Sequence, residues 1–185
     1  AYTHRCGVEI TAAQAESLLR SCEGWFSAVY LNLHALAQRG SLLQPGSDIY
    51  AMFTAAMLRP LPPRRQRFLA VMGQADEFTG DMARYITGQP DTPEILADLT
   101  AKNAFVTRLP GGGYRFHHMM KECAEHCFLT MQEETQKLYW ERYGLWYENS
   151  RQYLHAIAAF RKSENYDALL RIIRNDAGIL LASLK

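Results

Sequence analysis

The sequence has little net charge, few cysteines and no long apolar segment. Its 185 residues carry 20 basic and 19 acidic side chains, so composition alone implies no strong attraction to nucleic acid or to an anionic membrane. Four cysteines are too few for a disulfide scaffold in a chain of this length and favour reduced thiols. The longest apolar run, residues 25–37, contains Asn32 and His34 and is too short to span a bilayer. We therefore expect a cytoplasmic protein without membrane association.

Recognisable catalytic motifs are also missing. The glycines at 111–113 are not followed by the Lys and Ser/Thr of a phosphate-binding loop, and that loop occurs nowhere else in the chain. No serine or cysteine stands in a nucleophile elbow. We therefore expect no enzymatic activity from this chain alone. Because it starts at Ala1 within a running helical pattern, we also expect a segment of a longer protein.

The most informative stretch is residues 105–125, with the sequence FVTRLPGGGYRFHHMMKECAE. Alternating side chains over residues 105–109 predict a strand, and residues 114–116 predict a short return strand. The glycines between them predict a tight turn, since glycine readily adopts the positive φ angles that such turns require. A β-hairpin is therefore expected, with His117 and His118 where its second strand meets a helical pattern.

Helix signals precede the hairpin. Thr11 and Gln14 have the spacing of a capping box, which predicts a helix to about residue 22. A helix over about residues 25–39 is apolar nearly all round and should be buried, and an amphipathic helix is expected over residues 49–57. Prolines at 60, 62 and 63 then mark the clearest internal boundary.

Three short helices are predicted between this boundary and the hairpin. The first begins near Pro63, and the second is capped by Thr79 and ended by Gly88. Thr92 is expected to cap the third. Their apolar positions are Phe68, Leu69, Met72, Met82, Tyr85, Ile86, Ile95, Leu96 and Leu99. Three helices followed by a hairpin is the order of elements in a winged-helix module.

The remainder of the chain is predicted to be helical. The expected helices cover residues 118–136, 138–149, 153–161 and 166–174. Paired helices separated by short polar breaks are typical of helical repeats, of which one to one and a half would fit here.

His117 and His118 have three interpretations. They could cap local backbone groups, since imidazole both donates and accepts hydrogen bonds. They could contact a phosphate at the start of the following helix. They could also bind a metal ion with Cys123, His126 and Cys127, but this run has no standard zinc spacing, so we predict no metal site.

DNA binding by the winged helix itself is not favoured. A basic cluster begins the first of the three helices and consists of Arg64, Arg65 and Arg67. The helix before the hairpin, residues 93–103, occupies the recognition position but carries Glu94 and Asp98 against Lys102 alone. A net-acidic helix is poorly suited to a groove lined by phosphates. Direct DNA binding through the arginines remains the third functional reading, and a regulatory module is preferred.

Five segments together resemble MalT-like regulators, the large ATP-dependent LuxR-family transcription factors of the bacterial STAND ATPase class. They are CEGW at 22–25, the LP and FL pairs within 61–69, LADLTAKNAF at 96–105, YRFHHM at 114–119 and the helical segment 143–169. They occur in family order and span almost the whole chain, and YRFHHM is the most specific of them.

The resemblance implies a nucleotide-dependent switch. His117 takes the histidine position of the family's MHD-type motif, which contacts the ADP phosphate, and His118 takes the neighbouring acid position. Gly24 and Trp25 fall where the family approaches the nucleotide from its helical side. ATP or ADP would be bound by the intact protein and held only weakly by this chain. The implied partners are a phosphate-binding-loop domain and a DNA-binding domain in the same polypeptide, and a small-molecule inducer, with DNA contacted only through the parent protein.

The expected fold is mainly α, with a winged-helix module flanked by helices of a nucleotide-binding module and by the start of TPR-like repeats. The expected domains are residues 1–58, 59–130 and 131–185 for these three parts respectively. The chain would then be the regulatory switch segment of an ATP-dependent LuxR-family regulator. The alternative is a stand-alone protein-interaction module, with exposed aromatic residues around 140–147 as its surface.

Overall fold

The computed structural model describes residues 10–21, 29, 32–33, 36, 51, 54–101 and 106–183, without the side chains of residues 17, 56, 57, 118, 119 and 175–183. The chain divides into two structural units, Ala1–Gln66 and Arg67–Lys185. Most of the predicted helix over residues 25–39 lies outside the described residues. Its four described positions are helical, and Asn32 and Leu33 are buried there.

The first helix, α1 (Ala12–Ser21), begins with the predicted capping box. The Gln14 amide donates to the Thr11 hydroxyl at 3.2 Å, and the Thr11 amide donates to the Gln14 side-chain oxygen at 2.9 Å. Two amides at the helix start, which lack partners within the helix, are thereby satisfied. The prediction of this helix start is confirmed.

The segment before the prolines differs from its prediction. Residues 54–58 form a π-helix, Thr54–Leu58, in which the Arg59 amide bonds to the Thr54 carbonyl at 2.9 Å. The sequence predicts an amphipathic α-helix there, because the apolar spacing over residues 49–57 does not distinguish five-residue from four-residue hydrogen bonding. The proline boundary itself is confirmed, since the next helix begins at Pro63.

The three short helices predicted before the hairpin are present as α2 (Pro63–Met72), α3 (Gly80–Thr87) and α4 (Thr92–Ala101). The Thr79 hydroxyl accepts from the Met82 amide at 3.1 Å, and Gly88 ends α3 with φ of 65°. Thr92 is not the predicted cap. It is the first helical residue, and its hydroxyl donates to the Gln89 carbonyl at 2.7 Å.

The apolar positions of these helices form a core with the hairpin and the helix after it. Of the residues predicted as apolar positions, Tyr85 alone is exposed, at 42%. The buried ones are Phe68, Leu69, Met72, Met82, Ile86, Ile95, Leu96 and Leu99, joined by Val106, Phe116, Met120 and Phe128.

The predicted hairpin is present as β1 (Val106–Arg108) and β2 (Tyr114–Phe116), paired antiparallel with Thr107 opposite Arg115. At the turn the Leu109 amide donates to the Gly113 carbonyl at 2.8 Å. Gly112 has φ of 82°, so it is the turn glycine whose conformation L-residues rarely adopt.

Four helices follow the hairpin: α5 (His118–Leu129), α6 (Glu133–Asn149), α7 (Tyr153–Lys162) and α8 (Tyr166–Ser183). The predicted single helix over residues 118–136 is wrong, because the chain leaves the helix at residues 130–132. Thr130 ends α5, where its hydroxyl donates to the Cys127 carbonyl at 2.8 Å. Glu133 and Glu134 then open α6, where acidic side chains favour a helix start.

Helix α7 packs closely along α6, and α8 packs on α7. Phe160 of α7 is fully buried and forms a core cluster with Ala156, Ala168 and Ile172. The predicted exposed aromatic surface of α6 is not observed. Tyr143 is 1% exposed and Tyr139 is 8% exposed, while Trp140, Trp146 and Tyr147 are partly buried.

Candidate functional site

His117 lies between β2 and α5, at the junction that the sequence identified. Its backbone carbonyl accepts the Lys121 amide at 2.9 Å, which closes the first turn of α5. Its side chain makes no capping hydrogen bond. The ring instead lies on the hairpin side, where Nε2 is 3.4 Å from the Thr107 hydroxyl of β1. The interpretation of His117 as a backbone cap is therefore wrong for its side chain.

The other predicted nucleotide contacts cannot be placed beside His117. Gly24 and Trp25 lie outside the described residues. His118 is the first residue of α5, and its side chain also lies outside the description. Of these four residues, His117 is thus the one whose side-chain surroundings the structure describes.

Cys123, His126 and Cys127 of α5, the candidate ligands whose side chains are described, do not form a metal-binding group. Cys123 is buried, His126 is exposed, and burial raises the pKa of the Cys127 thiol. A raised pKa disfavours the thiolate, which is the form that binds metals. Among the described residues, no group of three or more potential ligands comes together.

The loop from α2 to α3 holds the hairpin from one side. Phe78 exchanges two backbone hydrogen bonds with Tyr114, at 3.0 and 2.8 Å, and so adds one residue of a third strand. Its ring lies 5.7 Å from that of Tyr114 and 5.3 Å from that of Phe116. An ion pair between Glu77 and Arg115 lies beside these contacts. The sequence analysis did not predict that the α2–α3 loop binds β2. The opposite charges of Glu77 and Arg115 were the one signal of it in the sequence.

Helix α6 is fixed to α2 by a buried hydrogen bond. The Tyr143 hydroxyl donates to the Val71 carbonyl at 2.9 Å. Complete burial raises the pKa of this phenol well above its ordinary value, so it remains a donor at any physiological pH.

A second polar contact joins α6 to the end of α3. The Arg142 guanidinium donates to the Ile86 carbonyl at 2.9 Å. This carbonyl belongs to the last turn of α3, where backbone acceptors lack helical partners and a cation is favoured. The rings of Tyr85 and Trp146 extend the contact at a centroid distance of 5.5 Å.

We expect Tyr143→Phe to lower the free energy of unfolding by about 1 kcal/mol, because a buried carbonyl loses its side-chain donor. The cost stays at the lower end of the usual range, since the Val71 carbonyl also accepts from the Gln74 amide at 3.3 Å. Urea denaturation would measure it. Tyr85→Phe removes a hydroxyl from a 42% exposed ring and serves as the control. Equal stability of the two variants would contradict the importance of the Val71 bond.

A groove of about 670 Å³ lies between the α2–α3 loop, the turn of the hairpin and the junction of α6 with α7. Apolar side chains form part of its wall, among them Phe78, Met82 and Trp146. Asp76 also lines it and is paired with Lys121, whose ammonium lowers the pKa of that carboxyl. His155 reaches it from α7, with its ring 5.1 Å from that of Tyr147.

The recognition position of the module has an acidic character. Glu94 is exposed on α4 and Asp98 is partly buried, while Lys102 lies outside the described residues. Arg64 and Arg67 are exposed on α2, and Arg65 is partly buried. The described part of α4 therefore presents carboxylates where a DNA-reading helix would present donors to phosphates and bases.

Three short helices followed by a two-stranded wing define a winged-helix domain. Residues 54–137 match the family model described as the MalT winged helix domain. The match runs from the π-helix into the first turn of α6 and covers somewhat less than half of the 185 residues. The chain thus contains a winged-helix domain of the MalT kind, which confirms the resemblance for this segment. Comparisons with curated proteins and with solved structures gave no significant match.

The domain boundaries and the nature of the flanking parts are not tested by this match. The boundaries at residues 58 and 130 stay predictions, and so does the assignment of the flanking parts to a nucleotide-binding module and to sensor repeats. Within the part of the chain that the structure describes, none of the helices combines the length and the apolar character of a membrane span.

Proposed function

We propose that this chain is the regulatory switch segment of an ATP-dependent LuxR-family transcriptional regulator of the STAND class. Its winged-helix domain would couple nucleotide state to the release of a DNA-binding domain outside this chain. The observation that carries the proposal is the match of residues 54–137 to the MalT winged helix domain. The acidic α4 supports a regulatory role for this domain over a DNA-reading one.

His117 is the residue that we assign to the nucleotide. The surroundings of His117 fit one hydrogen bond from its ring to a phosphate oxygen. The ring is partly buried at the start of α5 and makes no capping hydrogen bond, so its ring nitrogens are not used by the helix backbone. An imidazole N–H can donate to a phosphate oxygen, and the nearby helix start favours an anion. ADP, when bound, supplies the phosphate that such a contact requires.

A phosphate contact at His117 would act on both the wing and α5. His117 follows β2 directly, and β2 is held by Phe78 and by the ion pair of Arg115 with Glu77. Helix α5 continues from His117 and packs its Ala124 against Gly73 at the end of α2. A displacement of His117 would therefore be passed to both the wing and the three-helix part. We infer that His117 holds the winged helix in the closed state while ADP is bound.

The remaining parts of the proposal concern the parent protein. Hydrolysis of ATP is assigned to a separate phosphate-binding-loop domain, because this sequence has no such loop. An inducer would act through the helices that begin with α6, and its identity is left open. The parent would act in the cytoplasm of a bacterium, as transcription regulators of this class do.

In the intact regulator, we expect His117→Ala to weaken ADP binding by roughly 10- to 100-fold and to raise basal transcription. The range corresponds to about 1.5–3 kcal/mol for a hydrogen bond to a charged group. The measurements are the dissociation rate of labelled ADP and a reporter assay without inducer. His126→Ala is the matched control, since His126 is exposed on α5, the helix that follows His117 directly. Unchanged ADP dissociation together with unchanged basal transcription in His117→Ala would refute the assignment.

A protein-interaction module is the second candidate, and the groove beside the wing is the observation that favours it. The groove contains aromatic and apolar side chains together with paired charges, the composition of many recognition surfaces. The reading frame around the chain discriminates between the two functions. A phosphate-binding loop upstream and a helix-turn-helix downstream would favour the switch, and their absence would favour the interaction module.

A further inference from the structure

Thr107 and His117 lie on the same face of the hairpin. Thr107 is opposite Arg115 in the register of β1 and β2, and His117 follows Arg115 by two residues, so the three side chains share one side of the sheet. Val106 and Phe116, which alternate with them, are buried on the other side. Thr107 is therefore on the solvent side of the wing, with His117 as its diagonal neighbour on the next strand.

The two ring nitrogens of His117 have different surroundings. Nε2 is 3.4 Å from the Thr107 hydroxyl, whereas Nδ1 has no hydrogen-bond partner among the described residues. Nδ1 is therefore the nitrogen that is open to a ligand. A neutral imidazole carries its hydrogen on one nitrogen and accepts at the other. The direction of the bond to Thr107 thus decides whether Nδ1 donates or accepts.

We propose that Thr107 is a positioning residue for His117: its hydroxyl donates to Nε2 and so places the ring hydrogen on Nδ1, which donates to the phosphate oxygen. This inference rests on the proposed nucleotide contact of His117. If Nε2 donated to Thr107 instead, the neutral ring would present the Nδ1 lone pair to the phosphate, and two acceptors repel. A hydroxyl hydrogen rotates to suit its partner, so Thr107 is able to take the donor role.

The contact also prepares the ring for its ligand before the nucleotide arrives. A histidine side chain in water favours the tautomer with hydrogen on Nε2, so the bond from Thr107 would shift the ring to the less common form. Threonine has few side-chain rotamers because it is branched at Cβ, and β1 is held by its pairing with β2. The ring direction and the donor on Nδ1 are therefore set by the wing itself, which lowers the cost of binding.

The test is nitrogen-15 NMR of the histidine rings in the 185-residue protein without nucleotide. At about pH 8.5 imidazole rings of ordinary pKa are neutral, and long-range proton–nitrogen correlations show which nitrogen carries the hydrogen. The signals of His117 are those that disappear in His117→Ala. We expect the Nδ1–H form in the wild type and the Nε2–H form in Thr107→Val, which keeps the shape and the strand preference of the side chain. Thr107→Ser should restore the Nδ1–H form.

Three NMR results would overturn the proposal. The first is an Nε2–H tautomer in the wild type, and the second is an unchanged tautomer in Thr107→Val. The third is a Thr107→Ser variant that behaves like Thr107→Val, since the hydroxyl would then not be the group that matters.

ADP dissociation from the intact regulator tests the consequence for the ligand. Thr107→Val should speed it by roughly 2- to 10-fold, the effect of one lost neutral hydrogen bond, and Thr107→Ser should restore it. In the His117→Ala background the valine substitution should have no further effect, because Thr107 acts through the ring. An equal effect of Thr107→Val with and without His117 would overturn the positioning role.

The two measurements separate this inference from the proposed function. ADP dissociation that is insensitive to His117→Ala would refute the nucleotide contact and with it the phosphate role of Nδ1. The NMR spectra contain no nucleotide, so they decide by themselves whether Thr107 sets the tautomer of His117.

Discussion

Gly144→Ala is expected to lower the free energy of unfolding by roughly 2 kcal/mol, because α6 and α7 meet at this residue without room for a methyl group. A Cβ atom at position 144 would lie 2.5, 2.6 and 2.8 Å from three ring carbons of Phe160. That ring is fully buried, so it cannot rotate away into solvent. Alanine gains up to about 1 kcal/mol over glycine within a helix, and the expected loss is the overlap cost that exceeds this gain.

Urea denaturation would measure the loss, and the chain provides a matched control. Gly80 is also helical, but a Cβ there would meet its nearest heavy atom at 3.9 Å, an ordinary contact. Gly80→Ala should therefore be neutral or slightly stabilising. The combination of Gly144→Ala with Phe160→Leu should recover at least about 1 kcal/mol relative to the sum of the single effects. Additive single effects would show that the ring contact does not limit the packing.

The elements that could be predicted from sequence are those with local causes. The capping box of α1 needs two side chains three residues apart, and it forms as expected at Thr11 and Gln14. Helix α3 begins at the hydroxyl cap of Thr79 and ends at Gly88, which has a positive φ, and both features are present as predicted. The hairpin depends on alternation and on Gly112 at its turn. In each case the stabilising partner lies within a few residues of the signal.

The features that sequence reasoning missed depend on contacts far along the chain. The attachment of Phe78 to Tyr114 joins residues 36 positions apart, and no periodicity within either segment indicates it. The burial of Tyr143 follows from its hydroxyl reaching Val71, a partner 72 positions earlier in the chain. The break at residues 130–132 was also missed, because it contains neither the proline nor the glycine that usually marks the end of a helix. The acidic pair at 133 and 134 was the visible signal for a new helix start.

The candidate site also has features that local sequence patterns predict and features that depend on residues farther along the chain. The position of His117 at a strand-to-helix junction could be predicted, because both elements have clear local patterns. The direction of its ring could not, since it depends on Thr107 across the hairpin. The contact of His117 with a nucleotide is proposed from the family resemblance. The contacts predicted for Gly24 and Trp25 stay predictions, because both residues lie outside the described ones.

Gly73→Ala is the second substitution with a large expected effect, and it acts on the path from α2 to His117. A Cβ atom at position 73 would overlap with the Cβ of Ala124 and would lie 3.2 Å from the Leu69 carbonyl oxygen. Ala124 is fully buried in α5. Because both atoms are fixed by backbone, the end of α2 and α5 would have to move apart. We expect a loss of about 2–3 kcal/mol in the free energy of unfolding, or roughly 4–12 °C in Tm for a chain of this length.

The partner substitution distinguishes overlap from a general intolerance at position 73. Ala124→Gly removes the opposing methyl group at a helix-propensity cost of up to about 1 kcal/mol. The double variant Gly73→Ala with Ala124→Gly should therefore be more stable than Gly73→Ala alone. Gly111→Ala is the control, since a Cβ there has no neighbour within 4 Å, and its Tm should stay close to that of the wild type. If the double variant is no more stable than Gly73→Ala, the contact between α2 and α5 is not what limits residue 73. The route that we infer from His117 through α5 to the three-helix part would then lose its structural basis.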